Sequence, residues 1–518
     1  MGCGSGRTDT GNPALVYILC YCAEAGAGGS VRRSSKGLEE TYQQKLLQNK
    51  HHIYQHYITK EEMTMKKCLA LVLAAALAAS ALAGCGSGSS STDTKASETK
   101  AEETKAAGDT AAAGESGTSE KEPGSVNLSI MLALGQWTDN FDSVIEDYKK
   151  DNPQIGTIEY EFPSSSTYWD LLKGYLSAGT MPDIFGCGFG EQIGNWHEYL
   201  ADLSDLESAK DLSAEQVAMC SVDGKTIQVM PMVMEGWGIL YNMKYLNQVG
   251  WEKPPETISE LEKLCKDLKA AGIQPFIHHY AETSLSLTNH LGSTWITAKE
   301  DPLGYFEELK SGKDMNLAED PELNAMLDYY DLVLQYGNDD AIATDKWTGR
   351  NAFFLEEAAM IDDEGSWEIP NIMDVNPDLA DHVVQGRVPI TDDASKNKLQ
   401  TASICAAVYK DSPQLDEAKK FLDYLVKSDY TAYWHQDVMG NIPGLSTVPV
   451  SENLACLGQD VFTLMQDGLT HETMTPWCPD EVKDSIGEVW SLYVGKQIDR
   501  PQFFKQYQEI WTNYAANK

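Results

Sequence analysis

Basic residues are scarce in this chain. Lysine and arginine number 40 against 78 aspartates and glutamates in 518 residues, a formal net charge of -38. A surface of that sign repels phosphate backbones, which argues against nucleic acid as a partner, although acidity by itself names no ligand. The 11 cysteines include no C-x-x-C pair, so neither a zinc site nor a thioredoxin-like motif is written in the sequence. From Ser125 onward there is no HExxH and no GxSxG, and "GFGEQIG" lacks the spacing of a dinucleotide fingerprint. The acidic run "IDDEG" does not fit a calcium loop and leaves that metal only a remote option. No cofactor or metal is therefore expected. The apolar run from Cys68 to Ala83 is shorter than the roughly 20 residues that a comfortable bilayer span needs.

That run nevertheless has a definite design. Met65 is followed by Lys66 and Lys67, then the apolar stretch, then Leu82, Ala83, Gly84 and Cys85 before an abrupt change to Gly and Ser. The pattern resembles a bacterial lipobox. The resemblance implies that 65–84 is a signal peptide and that Cys85 becomes a lipid-bearing N-terminus. Two acyl chains there would anchor the protein to the cell membrane on its extracytoplasmic face. Lys60, Glu61 and Glu62 can be encoded as AAG GAG GAA, a ribosome-binding site ahead of an ATG at Met65, so residues 1–64 are expected to be a leader read from an upstream start. After Cys85, Gly86 to Gly124 contains no Val, Ile, Leu, Met or aromatic residue and is expected to remain a disordered tether. A coil of that length holds its cargo on the order of 35 Å from the membrane.

From Ser125 to Lys518 strand and helix patterns alternate. Val126 to Leu134 and Thr157 to Phe162 read as strands, and "MPDIFGCG" as a short buried one. Helices are expected over Thr138 to Lys150, up to Gly179, and over Glu322 to Tyr336, Gln414 to Val426, Asp480 to Val494 and Pro501 to Tyr514. Behind Pro254 and Pro255, Thr257 and Glu260 form a capping box for a helix with Ile258, Leu261, Leu264 and Leu268 on one face. Such alternation predicts an α/β fold with helices on both faces of a sheet and ligands at the carboxyl ends of the strands. The six cysteines beyond Ser125 are expected mostly as free, buried thiols.

Four phrases, "AGTMPDIFGCG", "VDGKTIQVMPMVMEGWGILYN" with the helix after it, "FFLEEAAMIDDEGSWEIPNI" and "AVYKDSPQLDEAKKFLDYLV", occur in the order seen in extracellular solute-binding proteins of the sugar ABC transporter type. The chain resembles that family, with the maltodextrin-binding proteins as the nearest group. The resemblance implies a two-lobed periplasmic-binding-protein-like fold of type II that closes over a sugar and performs no chemistry. One lobe would hold 126–234 plus 400–427, and the other 235–393 plus 428–518. "EGWGILYN" would be the first hinge crossing and "LQTASICAAVY" the returning strand. The implied partners are a carbohydrate and the permease subunits of an importer, with the binding protein itself a monomer.

Sugar recognition asks for aromatic faces and paired hydrogen-bonding groups, because a hydroxyl buried without a partner is costly. Among 12 tryptophans, Trp367 in "GSWEIPN" occupies the position where the family places a stacking ring. Glu235 matches the hinge acid that contacts sugar hydroxyls, and Trp237 lies beside it, with hinge packing as its alternative role. Gln136 and Trp137 match the first cleft loop, and Glu191 sits near a polar ligand position. Trp295 and Trp477 fall in regions that face the cleft in the family, where each has a structural alternative. Trp169 reads as core, and Trp347 as either cleft or partly exposed surface. Gly186, Cys187 and Gly188 replace the Trp and Asp-Arg pair of maltodextrin binders, which leaves other oligosaccharides or monosaccharides open. The competing class is a lipid-anchored glycoside hydrolase, with two carboxylates such as Glu235 and Glu191 flanking the bond. A third reading keeps the fold for a sensor or for a non-sugar solute.

Overall fold

The structure, a computed structural model, describes residues 121–518. The expected leader, signal peptide, Cys85 and the tether up to residue 120 lie outside the described residues. The last four residues of the expected tether are not loose. The Ser125 N–H closes a turn on Glu122 O at 3.1 Å, the Gly124 N–H donates to Pro153 O at 3.0 Å and Lys121 reaches Glu417 at 3.7 Å. Gly124 adopts a φ of +70°, a conformation that glycine takes without steric cost.

One sheet runs through the described residues in the order β2-β1-β3-β8-β4-β6-β5, where β5 is Phe276–Ile277, with β10 (Thr470–Glu472) added to β8, and β7 and β9 (Ile442–Pro443) added to β4. β1 (Val126–Met131) is flanked by two parallel neighbours, β2 (Ile155–Glu161) and β3 (Ile184–Gly186). β3 then pairs antiparallel with β8 (Leu399–Val408). The longest strand, β4 (Met230–Asn242), is antiparallel to β8 through its first half, from Met230↔Ala406 to Trp237↔Gln400. Its second half pairs instead with β6 (Met360–Gly365) and β7 (Val383–Gly386). β4, which contains "EGWGILYN", therefore links the part of the sheet built on β1, β3 and β8 to the part built on β6 and β7. At the crossing, a Cβ on Gly238 would lie 2.3 Å from Gly386 O, so the close approach of β4 and β7 requires glycine.

Two apolar cores occupy the two lobes. The first gathers β1, β3, the start of β4, the end of β8 and the helix Leu415–Lys427. That helix buries Ala418, Phe421, Leu422, Leu425 and Val426 at i, i+3, i+4 spacing, places Asp416 and Glu417 in its first turn and Lys427 in its last, and so agrees with its own dipole. Each large side chain fully buried in this way contributes about 1.5–3 kcal/mol. The second core is built on β5 (Phe276–Ile277), β6 and the helices Ile258–Ala270, Pro321–Val333, Asp480–Val494 and Arg500–Ala516.

Several local expectations meet differences with clear physical reasons. The helix expected from Thr138 starts at Asp142, because Gly135–Trp137 forms a tight 3₁₀ turn that sinks Trp137 into the first core. Thr257 caps its helix by accepting from the Glu260 N–H, but the Glu260 carboxylate accepts from the Glu256 N–H, so the capping box is half formed. The first core also continues past residue 427: Trp434, Met439, Leu445 and Val448 all pack into it. A short helix, Asp429–Tyr433, and a π-helical turn, Trp434–Val438, carry the chain back across the first core there. All six cysteines beyond Ser125 are free, and five of them are buried.

Candidate functional site

Glu235 lies halfway along β4, opposite Ala402 of β8, where the strand leaves the first lobe. Its side chain is 5% exposed, and no lysine or arginine pairs with it among the described residues. Two amides converge on one oxygen: Gln136 Nε2 donates to Oε1 at 3.1 Å and Asn441 Nδ2 at 2.9 Å. Burial pushes the carboxyl up to about 7, against the opposing pull of these amides. Gln136 comes from the 3₁₀ turn after β1, and Asn441 from just before β9 (Ile442–Pro443).

Two residues along β4, on the same face by strand alternation, stands Trp237. Its ring centroid is 4.8 Å from that of His290 and 6.0 Å from that of Trp367, and the last two are 5.7 Å apart. Three rings from three segments of the second lobe thus form one cluster beside Glu235. Trp367 is partly exposed, and its Nε1 donates to Glu364 Oε2 at 2.9 Å. Burial would raise the Glu364 carboxyl, but the Arg350 guanidinium and His279 hold it well below the carboxylate range. Burial raises the carboxyl of its neighbour Glu368 despite Arg350, and the Glu364 charge raises it further. The acids of "IDDEG" are each taken by protein: Asp362 by His278, Tyr280 and Tyr329, Asp363 by His290, and Glu364 by Arg350 and Trp367.

Among Glu235, its two amide partners and the three rings, two buried polar atoms make no hydrogen bond to any described residue. They are the indole nitrogen of Trp237, a donor, and Oδ1 of Asn441, an acceptor. Leaving such groups unmet costs about 1–3 kcal/mol each. A ligand that both donates and accepts would satisfy them.

The remaining sequence candidates lie elsewhere. Trp137 is fully buried, 4.9 Å from Trp434 and 6.1 Å from Phe162 in the first core. Trp295 is fully buried among Tyr305 and Tyr507 in the second. Neither offers a face to a ligand, because the 3₁₀ turn at Trp137 and the short helix Thr294–Thr297 turn these rings inward. Glu191 and Trp477 meet at a separate lobe-to-lobe contact. Glu191, in the first turn of the helix Gly190–Trp196, pairs with Lys310 of the second lobe at 2.6 Å. Gly190, at φ +59°, packs so closely there that a Cβ would lie 2.5 Å from Pro476 O and 3.2 Å from Trp477 Cδ1. Trp169 packs against the first core, and Trp347 is 54% exposed.

His290, Asn441, Asp363 and Arg350 were not singled out from sequence. Only the unusual acidic run around Asp363 gave any signal.

A family model described as bacterial extracellular solute-binding protein matches residues 143–456. Among solved structures the chain is similar to the solute-binding protein RafE in complex with raffinose, 18% identical with a TM-score of 0.62, over 75% of this chain and 100% of that one. It is similar also to a sugar transporter protein from Bacillus licheniformis in complex with stachyose, 19% identical with a TM-score of 0.61, over 75% and 100%. A third is an ABC transporter solute-binding protein from Thermotoga lettingae bound with α-D-tagatose, 19% identical with a TM-score of 0.58, over 75% and 99%. At these identities the likeness carries the two-lobed fold. No curated protein matches the sequence.

Proposed function

The chain belongs to the bacterial extracellular solute-binding proteins, and from that premise we propose that it captures a sugar or oligosaccharide between its lobes and delivers it to the permease of an ABC importer. The observation that carries this reading is the convergence at Glu235. Gln136 reaches it from the first lobe, while the partly exposed Trp367 presents a ring from the second, backed by the buried Trp237. A pyranose has an apolar face for a ring and hydroxyls that both donate and accept, which suits the indole N–H of Trp237 and the amide oxygen of Asn441 left unmet. Such a ligand touches both lobes only when they are closed, so its binding favours the closed state.

In this reading the lobes comprise 126–234 with 400–448 and 235–393 with 449–518, hinged on β4 and β8. Acylation of Cys85 keeps the protein on the extracytoplasmic face of the membrane, and the tether lets the closed form reach the permease. The raffinose, stachyose and tagatose held by the solved relatives define the first panel to try.

Tryptophan fluorescence of the purified protein titrated with that panel, extended to other mono- and oligosaccharides, tests the proposal. A saturable change with the sugar recovered intact, lost in Trp367→Ala, is the expected result. Recovery of hydrolysed sugar would transfer the site to a glycoside hydrolase. Silence across the panel would refute a sugar ligand.

A further inference from the structure

We infer that Asp363 is a positioning residue that holds His290 with its Nε2 bare, as a recognition group for a hydroxyl of the ligand. The inference rests on the proposed sugar site and adds to it a specific residue pair.

The first observation is a bulge. β4 and β6 pair as Gly238↔Glu364 and then Ile239↔Asp362, so Asp363 is the extra residue that no position on β4 opposes. It lies at φ +65°, the left-handed region that a side-chain-bearing residue seldom enters, although aspartate tolerates it better than most. Bulges of this kind bend a strand and re-aim a side chain, and strained backbone of this kind is retained where surrounding structure holds it in place. The effect here is that three consecutive acids reach three separate destinations. Asp362 enters the second core at His278 and Tyr329, Glu364 goes to Arg350, and Asp363 goes to His290.

The second observation is the imidazole itself. His290 ends the π-helical turn Ser284–His290, and its Nδ1 lies 2.8 Å from Asp363 Oδ1. A carboxylate can only accept, so Nδ1 carries a hydrogen, and whenever the ring holds a single hydrogen the lone pair is on Nε2. No described residue donates to Nε2, and the side chain is 17% exposed while Asp363 is 2% exposed. Trp237 at 4.8 Å and Trp367 at 5.7 Å fix the ring plane. A histidine with only a packing role would have no need of a strained partner to select its tautomer. One that must offer a lone pair to a hydroxyl beside the partly exposed ring of Trp367 does.

Nitrogen-15 NMR of the histidine side chains at pH 7.5, with His290→Gln to assign the signal, is the first test. A hydrogen on Nδ1 and a bare Nε2 is expected. A hydrogen on Nε2 overturns the inference. This measurement needs no sugar, so it stands apart from the sugar panel, whose silence would refute the site's proposed ligand instead. The second test uses two substitutions. Asp363→Asn keeps an acceptor and tolerates the backbone, so the responding sugar should bind within about threefold of the parent. Asp363→Gly relieves the backbone and removes the acceptor. It should melt no lower than the parent yet bind about tenfold more weakly, the loss of one hydrogen bond's worth of affinity. Unchanged affinity in Asp363→Gly would overturn the inference, since a purely structural aspartate predicts that result.

Discussion

Glu235→Gln separates what the buried acid does for the site from what it does to the fold. In the unfolded chain this carboxyl ionises near its ordinary value of 4.5, whereas in the folded chain burial raises it to about 7. Between these pH values the unfolded chain has already released a proton that the folded chain still holds. Stability therefore falls as pH rises through this window, the reverse of the usual salt-bridged carboxylate. At 1.36 kcal/mol per pH unit, the gap amounts to about 3 kcal/mol, fully expressed above pH 7 and absent below 4.5. Glutamine keeps an oxygen to accept from Gln136 and Asn441 but never ionises. The substituted protein should match the parent near pH 4 and exceed it at pH 8. With about 2 cal/mol/K of unfolding entropy per residue over 121–518, the gain at pH 8 is a Tm higher by about 4 °C. Glu472, pushed up to about 7, and Asp460, pushed up to about 6, are raised by burial too and tilt both proteins the same way, so only the difference between the two melting curves isolates Glu235. Thermal melts of the sugar-free protein from pH 4 to 8.5 measure it. A difference that does not change with pH, or a substituted protein that is less stable at pH 8, would refute the argument that desolvation dominates at Glu235.

Trp137→Ala should cost about 3–5 kcal/mol in chemical denaturation, since it empties a fully buried aromatic site, while the affinity of the folded fraction for sugar stays unchanged. A change in affinity without loss of stability would return Trp137 to the cleft. Lys310→Met removes the lobe-to-lobe ion pair with Glu191, whose side chains are 11% and 29% exposed. With a partly screened pair contributing about 1 kcal/mol, sugar affinity should fall about fivefold and the radius of gyration measured by small-angle scattering should rise. Combining it with Glu191→Gln should add nothing further, and an additive loss would show that the two side chains act separately.

What was legible in the sequence follows the range of the interactions involved. The helix Asp480–Val494 matches its expected limits residue for residue, because a regular apolar period is local information. The crossing strand with Glu235 and Trp237 was legible for the same reason, as a single uninterrupted phrase. Asn441 was not: it reaches Glu235 from 206 residues away, and nothing beside it in sequence marks it. His290 meets Asp363 across 73 residues, at the end of a π-helical turn that has no sequence period. Tryptophan was an ambiguous signal. Gln136 turns toward Glu235 while its neighbour Trp137 turns into the core, a division that the 3₁₀ turn decides and composition does not. The continuation of the first core beyond residue 427 was illegible for a similar reason, since a five-residue helix carries it past the last strongly amphipathic one.

The interleaving of the two cores has a consequence for how the chain comes into being. β3 waits for β8, whose residues are made some two hundred positions later, and the first core then needs Trp434 and Val448 before it is filled. During synthesis from the N-terminus neither lobe can finish early, since closing so long a loop is slow and goes uncompensated until the last partner arrives. The nascent polypeptide stays threadable for most of its length. That is the condition a narrow translocation channel imposes on its passengers, and here it is met by the order in which the strands are numbered.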